Sequence, residues 1–147
     1  MSPFLIFLSL TAFGLCGVLF SVWKGATAER IAALVVVANI LVGFLSRYVP
    51  EFAGTLRFAN DGLAAIVLLV VTVRYGAPWM GGVMLFYAAQ FSLHSFYLVT
   101  GRSNTDYLHA LINNINFAGI VWCLIIGTAV TLRRRSRLNR QSQSPPN

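Results

Sequence analysis

Five stretches of nearly continuous apolar residues, at about 3–23, 30–49, 59–74, 79–100 and 108–132, alternate along the chain with short polar connections. A bilayer's hydrocarbon core is about 30 Å thick and takes roughly 20 helical residues to cross, fewer where flanking polar side chains reach back to water. The pattern therefore predicts an all-α integral membrane bundle of five transmembrane helices. The third run is the short one: its unbroken part, GLAAIVLLVVTV from Gly62, spans only if Arg74 reaches outward to the interface. Four spanning helices, with the third run not crossing, is the alternative. Gly76 tolerates unusual dihedrals and Pro78 lacks a backbone donor, so they predict a tight turn that makes runs three and four a hairpin.

Composition points the same way. Hydrophobic residues make up 57% of the chain and charged residues only 10%, against about a quarter charged in soluble domains. The net charge of +7 does not imply a nucleic-acid partner, because five of the eleven basic residues lie between Arg133 and Arg140, directly after an apolar run. Membrane topology and contact with membrane lipids account for them better. The chain divides into a transmembrane bundle, 1–132, and a basic tail, 133–147, whose sequence RRRSRLNRQSQSPPN has nothing to bury and is expected to be disordered beyond its first residues. The first run lacks a positive leading region and is longer than a signal-peptide core, so it reads as a retained span. Cys16 and Cys123 each sit inside an apolar run and read as small packing residues rather than a disulfide pair.

Positive residues are retained on the cytoplasmic side of a membrane. With five spans, Lys24, Arg30, Arg74 and arginines 133, 134, 135, 137 and 140 share one side, while Arg47, Arg57 and Arg102 share the other. Eight against three predicts a cytoplasmic C-terminus and an N-terminus on the opposite face. Trp23, Tyr48 and Trp79 fall at span ends as interfacial anchors, whereas Trp122 is deep and is expected to pack.

Within FYAAQFSLHSFYLV, residues 86–99, polar groups recur at helical spacing. Tyr87, Gln90, His94 and Tyr97 fall within an arc of about 80° on a helical wheel, and a stripe of amide and imidazole is costly against lipid, so it must face protein or water. The fifth run carries His109, Asn113, Asn116, Gly119, Cys123 and Gly127 within about 120°. Gly119, Cys123 and Gly127 follow the small-xxx-small rule, which predicts close approach of a neighbouring helix backbone. At 1.5 Å per residue, His94 lies about 9 Å, Asn113 about 8 Å and Asn116 about 12 Å below the same membrane face, with His109 nearly at the surface. Asp61, at the start of the third run, completes a candidate cluster of Asp61, Gln90, His94, Asn113 and Asn116. Arg57, one helical turn earlier, offers Asp61 a local ion pair, and Asn39 in the second run reads as a helix-packing amide.

Three readings of this cluster stand. The amides and His94 hold helices together, at about 0.6 kcal/mol per contact; or Asp61 and His94 handle a proton, cation or small polar ligand in a water-filled pocket; or His94 meets a cofactor, as a haem or metal ligand or as donor to a quinone head group. No cofactor is required by the pattern, and no metal site is predicted, since one aspartate, one histidine and neutral amides make a weak ligand set. No nucleophile with its base, phosphate loop or carboxylate pair is present, which argues against an enzyme.

Glu29-Arg30, Asp61, Gly76, Pro78-Trp79, Gln90, His94 and Gly127-Thr128, in that order, resemble small multi-pass proteins of the bacterial inner membrane to which no activity is assigned. The resemblance implies that location, where the side that the basic count assigns to the N-terminus is the periplasm, and nothing about chemistry. Small size and the lack of a soluble domain predict an accessory, stabilising or assembly subunit of a membrane complex, whose partners are other membrane subunits or further copies of itself. The alternative is a small oligomeric channel or carrier for a proton, ion or polar solute. The two differ in one observable: a hydrated cavity lined by Asp61 and His94 favours transport, and a closed hydrogen-bonded cluster favours a scaffold.

Overall fold

The computed structural model describes residues 3–46, 48–102 and 106–142. They form five helices, α1 (Pro3–Lys24), α2 (Thr27–Leu45), α3 (Ala53–Tyr75), α4 (Trp79–Thr100) and α5 (Tyr107–Ser142), with a single 3-10 turn, Pro50–Phe52, leading into α3. The protein is an all-α bundle. Arg47, which entered the count of basic residues above, lies outside the described residues.

Each connection has a local cause. Between α1 and α2 the amide of Gly25 closes on Ser21 O at 2.8 Å, and Glu29 reaches back to accept the Ala26 N–H at 2.9 Å, satisfying one of the free donors at the start of α2. Gly76 ends α3 at φ 58, the left-handed conformation that glycine adopts without a Cβ penalty, and Pro78 then opens α4. Asp106 caps α5, its carboxylate accepting the Leu108 N–H at 3.3 Å.

Neighbouring helices touch in the order α1–α2–α3–α4–α5, α1 also packs on α5, and α2 touches α5 across the bundle. Alternate helices run in opposite directions. Trp79, Gly82 and Phe86 of α4 meet Gly127, Cys123 and Gly119 of α5 respectively, an antiparallel register, whereas Gly14 and Gly17 of α1 meet Phe117 and Val121 of α5 in parallel. One end of the bundle therefore gathers the start of α3 and of α5 with the ends of α2 and α4.

The polar residues Arg57, Asn60 and Asp61, which cut the third apolar run short in the sequence, do not end the helix. α3 starts at Ala53, six residues before the predicted boundary, because the buried Asp61 is taken up by partners inside the bundle. Together with its preceding turn α3 is long and apolar enough to cross a membrane, as are α2, α4 and α5; the described apolar part of α1, Leu8–Lys24, is shorter. The alternative in which the third run fails to span loses its basis. Between 22% and 33% of each of those four spans is buried, so side chains such as Leu34, Leu63, Val70, Val73 and Leu85 face outward. At about 25 cal/mol per Å2 of apolar surface, this exterior is unfavourable in water and at home in lipid. The chain is a membrane protein that lipid surrounds.

Two expectations are corrected. The tail 133–147, expected to be disordered beyond its first residues, continues α5 as an exposed helix to Ser142; arginine, leucine and glutamine are good helix formers, and extending an existing helix needs no new nucleus. Residues 143–147 lie outside the described part. Trp122, expected to pack deep, is 56% exposed, its ring tilted against that of Phe13 with 5.5 Å between centroids. Of the proposed anchors, Trp23 and Tyr48 are exposed at helix ends, the Lys24 ammonium sitting 3.9 Å above the Trp23 ring, while Trp79 is half-buried on α5. Both cysteines are free thiols, Cys16 facing outward and Cys123 half-buried against Gly82.

At the end opposite the polar cluster, two hydrogen bonds tie the α1–α2 turn to α5. Ser21 Oγ donates to Thr128 Oγ1 at 2.9 Å, since the Thr128 hydroxyl proton goes to Leu124 O. Thr131 Oγ1 donates to Glu29 Oε1 at 2.7 Å. Glu29→Ala strips an acceptor from both the Ala26 N–H and Thr131, and is expected to cost about 1–3 kcal/mol in unfolding measured in detergent. Glu29→Gln, which keeps one acceptor oxygen, is expected to cost clearly less.

Candidate functional site: a polar cavity at one end of the bundle

The buried residues of α4 are Met80, Val83, Tyr87, Gln90, His94 and Tyr97, spaced alternately three and four apart, so one face of the helix is apolar at its start and polar toward its end. That polar half meets Asp61 of α3, which is fully buried. Gln90 Nε2 donates to Asp61 Oδ1 at 3.2 Å. The other carboxylate oxygen, Oδ2, is held by His94 Nδ1. Two donors from α4 thus converge on one carboxylate of α3, which is how an aspartate is accommodated at membrane depth. Arg57, the sequence's nominated partner for Asp61, donates to Ser46 Oγ, at the C-cap of α2, at 3.1 Å.

The α5 amides are placed differently from the sequence expectation. Asn113 is half-buried and Asn116 buried, yet among the described residues no hydrogen bond joins either to Gln90 or His94. The hydrogen-bonded tie runs between α3 and α4, centred on Asp61. Asn39 of α2 donates to the Tyr87 hydroxyl at 3.4 Å.

His109 is the residue that sequence reasoning left out. Depth counting puts it nearly at the surface, but it is 2% exposed, its ring centroid 5.2 Å from that of His94 and 4.6 Å from that of Tyr97. Tyr97 covers it, and the Tyr97 hydroxyl donates to Asp106 Oδ2 at 2.8 Å, pinning the end of α4 to the cap of α5. The signal was available: His109 shares the helical face of Asn113 and Asn116, and Asp106 has the identity and position of a helix cap. The Tyr97 hydroxyl, with the Leu108 N–H second, holds the Asp106 carboxyl below its ordinary value of 3.8. Its folded form therefore binds a proton less readily than its unfolded form. The stabilisation from this link is expected to be intact above the ordinary carboxyl range and to fade as pH drops through and below it. Asp106→Asn should flatten that acid limb in a pH series of unfolding midpoints.

Between these helices lies a partly open cavity of about 230 Å3, its wall formed by Asn39, Arg57, Asp61, Gln90, His94 and His109, with Gly43, Ala110, Asn113 and Asn114 completing it. It is large enough to hold several waters. A smaller cavity of about 90 Å3 shares Asn39, Gly43, Asn113 and Asn114 with it and continues between Leu10, Ile40 and Phe117. Toward the other end the bundle closes: Leu68, Met80, Val83, Tyr87, Ile120 and Leu124 form a contiguous buried core. Among the described residues no three His, Cys, Asp or Glu side chains group closely enough to hold a metal ion.

The small-residue stripe of α5 meets side chains rather than backbone. A Cβ on Gly119 would lie 2.4 Å from the Phe86 ring, and one on Gly127 2.4 Å from the Trp79 ring, while Cys123 faces Gly82, whose own added Cβ would lie 2.8 Å from the sulfur. The glycines are sockets for aromatic rings of α4.

No protein-family model matches the chain, and no curated protein or solved structure matches it either.

Proposed function

We propose that the protein binds a proton or small polar solute in the Asp61–His94 cavity and acts as a small membrane carrier or channel subunit for it. The observation that carries this reading is the cavity itself: a carboxylate and an imidazole, hydrogen-bonded to each other, stand on the wall of a space large enough for several waters. A purely structural cluster needs no such space. The apolar core beyond Tyr87 makes the site a dead end rather than an open pore, so passage requires a second arrangement of the helices, as in alternating access. The excess of arginine at the opposite end favours a cavity facing away from the cytoplasm, with the C-terminus inside and the bacterial inner membrane as the location.

The test is reconstitution into liposomes. One set carries a trapped pH dye and receives a pH step; another receives an osmotic step of urea. In at least one assay the parent is expected to exceed empty liposomes, and Asp61→Asn and His94→Gln are expected to return the rate to that of empty liposomes while remaining folded. Parent rates equal to empty liposomes in both assays would refute the reading.

A second reading, an assembly subunit of a membrane complex, is favoured by an apolar groove of about 300 Å3 between α2 and α3, lined by Ile31, Leu34, Ala38, Leu63 and Val67 among others. Such a groove accepts a partner's helix as readily as acyl chains. Leu63→Trp and Leu34→Trp are expected to release a co-purifying subunit under this reading and to leave liposome activity unchanged under the first.

A further inference from the structure

On the α4 side of the cavity the wall presents buried hydrogen-bond acceptors without a partner, and Asp61 is the cause. An ionised carboxylate only accepts, so the atoms it holds are donors: the amide NH2 of Gln90 and the Nδ1–H of His94. Amide and imidazole are two-ended groups, and fixing the donor end fixes the other. Gln90 Oε1 and, in the neutral ring, His94 Nε2 are left as acceptors, and both are buried with no partner. His109 Nε2 is a third buried atom without a partner, donor or acceptor according to its tautomer, and Asn116 Nδ2, a donor outside the cavity lining, is the fourth. Gln90, His94 and His109 all line the cavity.

We infer that the occupant of this cavity is a small solute that presents N–H donors, of the kind found on a primary ammonium ion or a urea-like amide. The inference rests on the binding-site reading above and adds the polarity of the ligand. Donors on the solute would satisfy Gln90 Oε1 and His94 Nε2 together, whereas an acceptor solute such as a carboxylate would face lone pairs. A hard alkali cation is disfavoured because an imidazole nitrogen is a poor ligand for it. The two sources of N–H chemistry differ in charge. Asp61 favours the ammonium ion and Arg57, on the same wall, opposes it, so the experiment separates them.

The chain has two histidines, which makes imidazole nitrogen NMR of 15N-histidine-labelled protein in detergent a direct probe, with His109→Gln assigning the pair. The tautomer that gives its Nδ1–H to Asp61 leaves His94 Nε2 without a proton, and the spectrum of the free protein is expected to show an unprotonated Nε2. Ethylammonium chloride or urea is expected to move its resonance saturably; tetramethylammonium chloride, a cation without donors, and sodium acetate are expected to leave it in place. A response to ethylammonium alone assigns a cationic ligand and a response to urea alone an uncharged one. Gln90→Leu removes one acceptor and is expected to weaken the responding probe about tenfold, the equivalent of one hydrogen bond. Protonated His94 Nε2 in the free protein, or a response to acetate comparable with that to ethylammonium, would overturn the inference and leave the cavity a binding site of other polarity. Silence of both histidines toward all four probes would overturn the inference, while the binding-site reading would still stand or fall on the liposome assays.

Discussion

Asp61→Ala is expected to be the most damaging polar substitution in the chain, costing about 2–6 kcal/mol of unfolding free energy in detergent, because it leaves two buried donors unpaired at about 1–3 kcal/mol each. The wild-type carboxylate takes Gln90 Nε2 on one oxygen and His94 Nδ1 on the other, and all three side chains are at least 95% buried. Alanine leaves an amide and an imidazole of α4 with no acceptor on α3. Asp61→Asn is expected to cost much less, because its carbonyl oxygen still receives one of the two donors. On the other side of the bond, His94→Gln keeps a donor for Asp61, whereas His94→Leu leaves the carboxylate with Gln90 alone and is expected to fall near Asp61→Ala. If Asp61→Ala unfolds within about 1 kcal/mol of the parent, the α3–α4 tie contributes little and the position of Asp61 has to be reconsidered.

Gly119→Leu is expected to cost about 1–3 kcal/mol or more through overpacking, because even its first carbon would sit inside the Phe86 ring contact. The origin of the loss is testable by pairing it with Phe86→Ala. If the ring is what collides, the double variant recovers part of the loss, a favourable coupling between two residues in contact. Gly127→Leu paired with Trp79→Ala should behave in the same way. Leucine at exposed positions of the same helix, such as Ile115 or Ile126, is expected to be neutral. Additive losses in both pairs would mean that the glycines matter for a reason other than these rings.

The bundle was legible in the sequence because a lipid-spanning helix announces itself by length and apolarity alone, and the boundaries of α4 follow from Pro78 and Gly101 flanking an unbroken run. The start of α3 was not, because hydropathy counts Arg57, Asn60 and Asp61 as exits from the membrane, whereas in the fold Asp61 is hydrogen-bonded sideways by a different helix. The stripe of Tyr87, Gln90, His94 and Tyr97 was readable from a helical wheel, since all four lie on one helix. His109 was misplaced for a related reason: depth along its own axis says nothing of Tyr97 folding over it from α4. The helical continuation to Ser142 reflects a preference for extending a formed helix that composition-based disorder does not weigh.

The account turns on whether the polar cluster lines a space that water reaches. Single cysteines introduced as Asn113→Cys and Ile120→Cys, in a chain carrying Cys16→Ala and Cys123→Ala, sit respectively on the cavity wall and in the buried core beyond it. Treated in sealed vesicles with a small, charged, membrane-impermeant thiol reagent, the thiol at position 113 is expected to react from one face of the membrane only, and the thiol at position 120 from neither. Position 113 as unreactive as position 120, in a protein that still folds, would contradict the account: the amides and His94 would then be sealed interhelical packing, and the cavity would have no part in function.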